Sequence, residues 1–569
     1  MTLNGKSAAP GIAVGSVYIY NKKFIIPAET FVPSGQEQAH VDRYLSIKKQ
    51  VLCELEDIKL SMFKIDPVKA AIFEAQKEIT EDIVINEEIP AKILNEHWSG
   101  DWAIYQVYET VIRVLSMTSD PLIAERAADF DDVRAQLLRL WNGQNHERLS
   151  NLNEPVIVAA LDLKPSDTAS MDKEKILAIL TETGGETCHT AIIAKSLGIP
   201  AVFGIDGLLD SVRQGQRAAV NAGEGKVILD PEDDVVTDFF NKNEMLLRDI
   251  EDAQTFRNRE GRTKCGVKID IGLNVSSAAV NEDELIAQSF TDYAGLVRTE
   301  FLLLERTSFP SEEEQFVLYR RILESFGKKP VILRTFDVGA DKQIASITQK
   351  REANPFLGNR GIRFCFNNLP IFKTQLRALL RASIYGNLWL MLPMIASLED
   401  IRKAKEIISE VKKELDTEKK QYGDFKIGIM IEVPSIALIS GLAVKEVDFA
   451  GIGTNDLCQY LCAADRMNSN VGSYYNRFHP AMFLLLKKII SSFIGARKPL
   501  SLCGELGSDP LVVPVLIGLG LRKLSMAAAS VAGVKRGIAS ITVKQAKKMA
   551  ANVLSLSTAA DIEKYLAGL

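Results

Sequence analysis

Beyond residue 262 the chain alternates short apolar runs with stretches of helical length, and eight runs can be counted. They are Val267-Lys-Ile-Asp-Ile-Gly-Leu-Asn, Gly295-Leu-Val-Arg, Val331-Ile-Leu-Arg, Leu388-Trp-Leu-Met-Leu-Pro-Met, Ile427-Gly-Ile-Met-Ile-Glu, Val447-Asp-Phe-Ala-Gly-Ile-Gly-Thr-Asn-Asp, Pro499-Leu-Ser-Leu-Cys-Gly-Glu and Lys523-Leu-Ser-Met. Such spacing reads as repeated β-α units. Eight units predict a (β/α)8 barrel, in which loops leaving the carboxyl ends of the strands converge over the axis and carry function.

Those predicted strand ends are polar. Arg298, Arg334, Glu432, the pair Asn455 and Asp456, and Cys503 close their runs, while Arg360 and Arg466 fall on following loops. Singly, each has a bland reading: an arginine in a surface ion pair, an acid capping a helix, a cysteine filling space. On one barrel face they read as an active site. Guanidinium forks bind phosphate and carboxylate two-pronged. Two carboxylates with room for waters suit Mg²⁺, a hard ion that prefers oxygen ligands. A phosphorylated carboxylic acid fits such a face, and Cys503 could protonate carbon where metal and arginines stabilise an enolate.

The first part of the chain has a different habit. Residues 1–20 suggest strands separated by glycine turns, and the strand signal returns near Glu154, in Pro155-Val-Ile-Val-Ala-Ala, Ile176-Leu-Ala-Ile-Leu and Lys226-Val-Ile-Leu. Between them, from about Ser34 to Trp141, apolar positions including Tyr44, Leu45, Val51, Leu52, Leu55 and Ile58 recur at helical spacing. This predicts an α/β domain, residues 1–25 and 145–232, interrupted by a helical insertion, 26–144. A charged helical linker, 233–262, then leads into a barrel of residues 263–569. Within the α/β part, Thr181-Glu-Thr-Gly-Gly-Glu-Thr-Cys-His-Thr-Ala-Ile-Ile-Ala-Lys sets His189 after a glycine turn, at the threshold of a helix. Free amides there favour a dianionic phosphate, and a neutral imidazole nitrogen can attack phosphorus.

Composition narrows the partners. Lys+Arg 68 against Asp+Glu 73 leaves a net charge of −5, so no global basic field gathers nucleic acid or anionic lipid. The seven cysteines are odd in number and scattered, which predicts free thiols in a reducing cytoplasm. Cys458 and Cys462 lack a second Cys/His pair and read as buried thiols on a helix rather than a metal site. The longest apolar run, near Leu511 to Leu521, is too short to cross a bilayer, and no membrane segment is expected.

The His189 segment resembles the phosphohistidine signature of the enzyme I family of the phosphoenolpyruvate-dependent sugar phosphotransferase system, shared more loosely by phosphoenolpyruvate synthase and pyruvate phosphate dikinase. Arg298-Thr-Glu-Phe, Arg334-Thr-Phe-Asp with Asp341-Lys342, Asn354-Pro-Phe-Leu-Gly, Ile431-Glu-Val-Pro, Ile452-Gly-Thr-Asn-Asp-Leu and Leu502-Cys-Gly-Glu-Leu are similar to that family's phosphoenolpyruvate-binding half. The resemblance implies that His189 is phosphorylated and Cys503 is the proton donor. It implies further that Arg298, Arg334, Asn455, Asp456 and Arg466 hold phosphoenolpyruvate, with Arg360 as a further candidate, and that Glu432 and Asp456 bind Mg²⁺. The α/β domain would be a swivelling phosphohistidine domain, the helical insertion would dock the phosphocarrier protein HPr, and the barrel would pair two chains into a homodimer. Glu186, Cys188, Lys195, Ala340, Asn359 and Cys458 depart from the family's usual residues, and the helical insertion matches least. An ATP-linked synthase or dikinase is disfavoured by the absence of a large nucleotide domain and of a Gly-x-x-x-x-Gly-Lys loop. A regulatory phosphorelay protein or sensor is the alternative of another class.

Overall fold

Gly5 and Gly11 divide the first twenty residues into β1 (Thr2–Asn4), β2 (Lys6–Ala9) and β3 (Ile12–Tyr20). The structure is a computed structural model. It describes all residues except 21–25, 64–66, 118–120, 144–148, 150, 151, 153, 164–166, 168–170, 172, 173, 184–189, 191–193, 195–197, 276–281, 304–307, 340–351, 467, 469, 470 and 569. The chain divides into two units, Met1–Leu247 and Arg248–Leu569.

In the first unit, β4 (Val156–Ala160), β5 (Ile176–Thr181), β6 (Ala201–Phe203), β7 (Arg217–Asn221) and β8 (Lys226–Leu229) join the first three strands in one sheet of order β1-β8-β7-β3-β4-β5-β6-β2. Strands β3 to β6 run parallel, and the flanking pairs run antiparallel. β4 is buried along its whole length, with apolar clusters on both faces of the sheet, so its run Val-Ile-Val-Ala-Ala shows no alternation. Gly225, at φ +65°, brings its backbone against Gly5, where a Cβ would sit 2.2 Å from the Gly5 oxygen.

Between β3 and β4 stand helices Glu37–Phe63, Pro67–Thr80, Ile83–Glu96, Gly100–Ser116 and Pro121–Trp141. The predicted stripe holds for Tyr44, Val51 and Leu55, which are buried in the bundle core. Leu45 instead is 49% exposed. A residue adjacent to Tyr44 in sequence lies about 100° round the helix, so both cannot face one core.

The second unit contains the barrel. Among the described residues β9 (Asp270–Val275), β10 (Tyr293–Val297), β11 (Pro330–Arg334), β12 (Asn387–Leu392), β13 (Lys426–Ile431), β14 (Phe449–Ile452), β15 (Leu500–Leu502) and β16 (Lys523–Met526) pair in parallel and close from β16 back to β9. Each run expected as a barrel strand contributes one. Several expected boundaries differ, and Arg298, Glu432 and Cys503 each fall just past their strands. The first strand starts at Asp270 rather than Val267. The sixth ends at Ile452, so Asn455 and Asp456 belong to the first turn of helix Thr454–Cys462.

The amino end of the barrel is plugged by Tyr293, Ile332, Trp389 and Phe449, with the Trp389 and Phe449 rings 4.8 Å apart. These rings fit because their neighbours lack side chains: a Cβ on Gly272 or Gly428 would fall 2.6 or 2.5 Å from Tyr293 or Phe449. The residues expected to form the site lie toward the opposite, carboxyl end.

Candidate active site

Strand periodicity aims the site residues. Successive side chains alternate across a strand, so Ile332 pointing into the barrel places Arg334 inward as well, and Met430 does the same for Glu432. Ser501 similarly precedes Cys503, which joins the interior cluster of Met391, Met430 and Phe449. Just past β14 the corresponding position is Gly453, whose missing side chain leaves space beside Glu432: a Cβ there would lie 3.0 Å from Oε2.

Charge is packed densely at this face. Arg334 is 4% exposed and pairs with Glu300 at 3.2 Å and Asp337 at 3.1 Å. Arg360, 2% exposed, donates Nε to Asp337 Oδ1 at 3.0 Å and Nη2 to Oδ2 at 2.9 Å. Its other side reaches Asp456, with Nη1 to Oδ1 at 2.9 Å and Nη2 to Oδ2 at 3.2 Å, and Nη1 also meets the Tyr460 hydroxyl at 3.1 Å. Arg466 extends the chain, its Nη1 3.7 Å from Asp456 Oδ1. Both buried arginines lie above the ordinary guanidinium range: burial opposes their charge, and the acids around them outweigh it.

Glu432 is fully buried. Its Oε1 accepts the Met394 N–H at 2.6 Å, while Oε2 has no hydrogen-bond partner among the described residues. Met394 takes φ 55°, an uncommon backbone for a side-chain-bearing residue, and so presents that N–H. Burial, then the charges of Asp456 and Asp337, push the Glu432 carboxyl up to about 8. A buried carboxyl oxygen without a hydrogen-bond partner, beside a second acid, is a place that a divalent cation would fill. No group of three or more His, Cys, Asp or Glu poised for a metal occurs among the described residues. Two carboxylates do fit an ion that retains several waters.

Cys503 lies under the arginines. Burial pushes its thiol up to about 12, with the Arg334 charge opposing, and Sγ is 3.5 Å from the Ile452 carbonyl. Its own carbonyl accepts Asn274 Nδ2 at 3.1 Å, and Asn274 Oδ1 accepts the Ser525 hydroxyl at 2.6 Å, tying β9, β15 and β16 together behind it.

The expected residues divide into three groups. Arg334, Arg360, Glu432, Asp456, Arg466 and Cys503 share one connected site. Arg298 is exposed just beyond β10, and Asn455 Nδ2 turns to Glu505 Oε1 at 3.2 Å. His189, with Glu186, Cys188 and Lys195, lies outside the described residues, as do Ala340, Asp341 and Lys342. Cys458 and Cys462 are free thiols 4.0 Å apart on the helix that begins at Thr454. Sequence reasoning gave no role to Asp337 or Glu300, the acids that hold Arg334. Their spacing from Arg334 and Arg298 was visible, but nothing in a linear chain marks an acid as buried.

This fold and this site define a phosphoenolpyruvate-utilising enzyme. Residues 251–543 match the model of the PEP-utilising enzyme PEP-binding domain, 152–225 that of the mobile domain, and 4–126 that of the N-terminal region. The phosphoenolpyruvate-protein phosphotransferase of Staphylococcus carnosus is 34% identical over 98% of this chain and 97% of its own. The protein of that name from Listeria innocua is 35% identical over 99% of each chain. A solution structure of Enzyme I (nEIt) is 34% identical, covering 43% of this chain and 99% of its own at a TM-score of 0.39. The chain belongs to the phosphoenolpyruvate-protein phosphotransferase family, and it is a phosphotransferase.

Proposed function

We propose that this enzyme takes the phosphoryl group of phosphoenolpyruvate onto His189 and passes it to a histidine of an HPr-like carrier, releasing pyruvate. The observation that carries this reading is the charged constellation at the carboxyl end of the barrel. Arg334, Arg298 and Arg466, with Asn455, supply donors for the phosphate and carboxylate of the substrate, and Arg360 adds a guanidinium beside Asp456. Glu432 and Asp456 would hold Mg²⁺, which supplies Lewis-acid stabilisation of negative charge on the substrate oxygens. The plugged barrel floor keeps water from below, so charge developing on the enolate oxygen meets fixed donors rather than solvent.

Cys503 serves as the acid. A thiol held near 12 remains protonated at neutral pH, and it gives its proton to the methylene carbon as the enolate becomes pyruvate. His189 must visit two partners, substrate and carrier, so the α/β domain swivels between them, and the helical insertion, residues 26–144, docks the carrier. In this reading residues 1–25 with 145–232 form the phosphohistidine domain, 233–262 the linker and 263–569 a barrel that also dimerises, in the cytoplasm. No helix among the described residues is long and apolar enough to cross a membrane.

The test is incubation with labelled phosphoenolpyruvate, Mg²⁺ and a carrier. Wild-type chain should acquire an acid-labile label and yield it to the carrier, and His189→Ala should acquire none. A labelled His189→Ala protein refutes the assignment. Label that enters but never leaves to any carrier favours the regulatory alternative, and sedimentation of the intact chain tests the dimer.

A further inference from the structure

Asp337 sits 1% exposed between two guanidinium groups. Its Oδ2 takes Arg334 Nη1 at 3.1 Å and Arg360 Nη2 at 2.9 Å, and its Oδ1 takes Arg360 Nε at 3.0 Å. Arg360 spends its remaining hydrogens on Asp456 and Tyr460. A guanidinium has five N–H bonds in a fixed fork. All five are used here, and the two carboxylates compete for one buried cation along adjacent edges, both taking a hydrogen from Nη2.

That competition matters because Asp456 has a second task. A carboxylate whose two oxygens both face a guanidinium is a poorer ligand for another cation, through shared lone pairs and through like-charge repulsion. The more firmly Arg360 is held elsewhere, the more available Asp456 becomes. We propose that Asp337 is a positioning residue for the divalent-cation site: it draws Arg360 away from Asp456 and so sets how strongly Asp456 can bind the metal. This rests on the assignment of Glu432 and Asp456 as the metal's ligands. In this proposal Asp337 acts through Arg360.

The experiment measures Mn²⁺ binding by the loss of the free-ion paramagnetic resonance signal, on the full chain without phosphoenolpyruvate. Asp456→Asn should abolish binding; if its affinity equals wild type, the ligand assignment fails and the proposal falls with it. Given that loss, Asp337→Asn should weaken Mn²⁺ about tenfold, the usual scale for a group that orients a metal ligand. The decrease should vanish in Asp337→Asn/Arg360→Gln, where no guanidinium is left to settle on Asp456. An unchanged affinity in Asp337→Asn, or an equal loss with and without Arg360, overturns the proposal. Arg360→Gln alone, which leaves Asp337 in place, should bind Mn²⁺ at least as tightly as wild type, and weaker binding there overturns it independently of how Asp337→Asn folds.

Discussion

Cys503 keeps its proton because it is buried, and that determines what it can do. A raised thiol pKa means the thiolate appears only well above neutral pH, so alkylation by iodoacetamide between pH 7 and 8 should be far slower at Cys503 than at exposed Cys53 and Cys265. Peptide mapping after timed labelling checks this, and prompt Cys503 labelling contradicts it. Cys503→Ala should slow pyruvate release by about 10²–10⁴, the scale of a positioned proton donor. A coupled lactate dehydrogenase assay measures it, and a full rate would leave Cys503 a structural residue. Arg334→Ala should lower kcat/KM roughly 10²-fold, a barrier increase of about 3 kcal/mol, if the guanidinium stabilises transition-state charge. It should also lower the melting temperature, because Glu300 and Asp337 then stay buried without it.

At the scale of elements, the loop after β15 and the helix after β14 are fitted to each other. A Cβ on Gly504 would lie 1.9 Å from Thr454 Oγ1 and 2.8 Å from its backbone nitrogen. Gly504→Ala must therefore push the start of helix Thr454–Cys462, which carries Asn455 and Asp456. The expected cost is about 1–3 kcal/mol of stability, with reduced turnover. Gly537, in helix Val531–Ser540, meets nothing within 4 Å, and Gly537→Ala should be neutral or stabilising by about 0.4–1 kcal/mol. Denaturant unfolding of the two variants separates a packed glycine from a tolerated one. The number and order of barrel strands were legible because buried parallel strands are short apolar runs between helices. Their ends were less so: Asn455 and Asp456 read as a strand terminus, because the chain turns from strand to helix within Gly453.

At the scale of the whole molecule, the proposed nucleophile and the proposed substrate-binding groups come from different parts of the chain, with His189 before Leu247 and the arginines after Arg248. His189→Ala should therefore bind phosphoenolpyruvate as tightly as wild type by calorimetry while transferring nothing, and a large loss of affinity would place His189 in the binding site itself. The sequence alone determined the barrel and the interrupted α/β sheet and nominated the reactive groups, since periodicity and residue chemistry are local properties. Only tertiary structure decided which groups act together. Arg360, a loop residue of uncertain role in the linear chain, became the link between Asp337 and Asp456, and Glu432 became a buried acid with an unpartnered oxygen. Burial and charge pairing depend on what surrounds a side chain in space, and residues 300, 337, 360, 432 and 456 become neighbours only when the strands close.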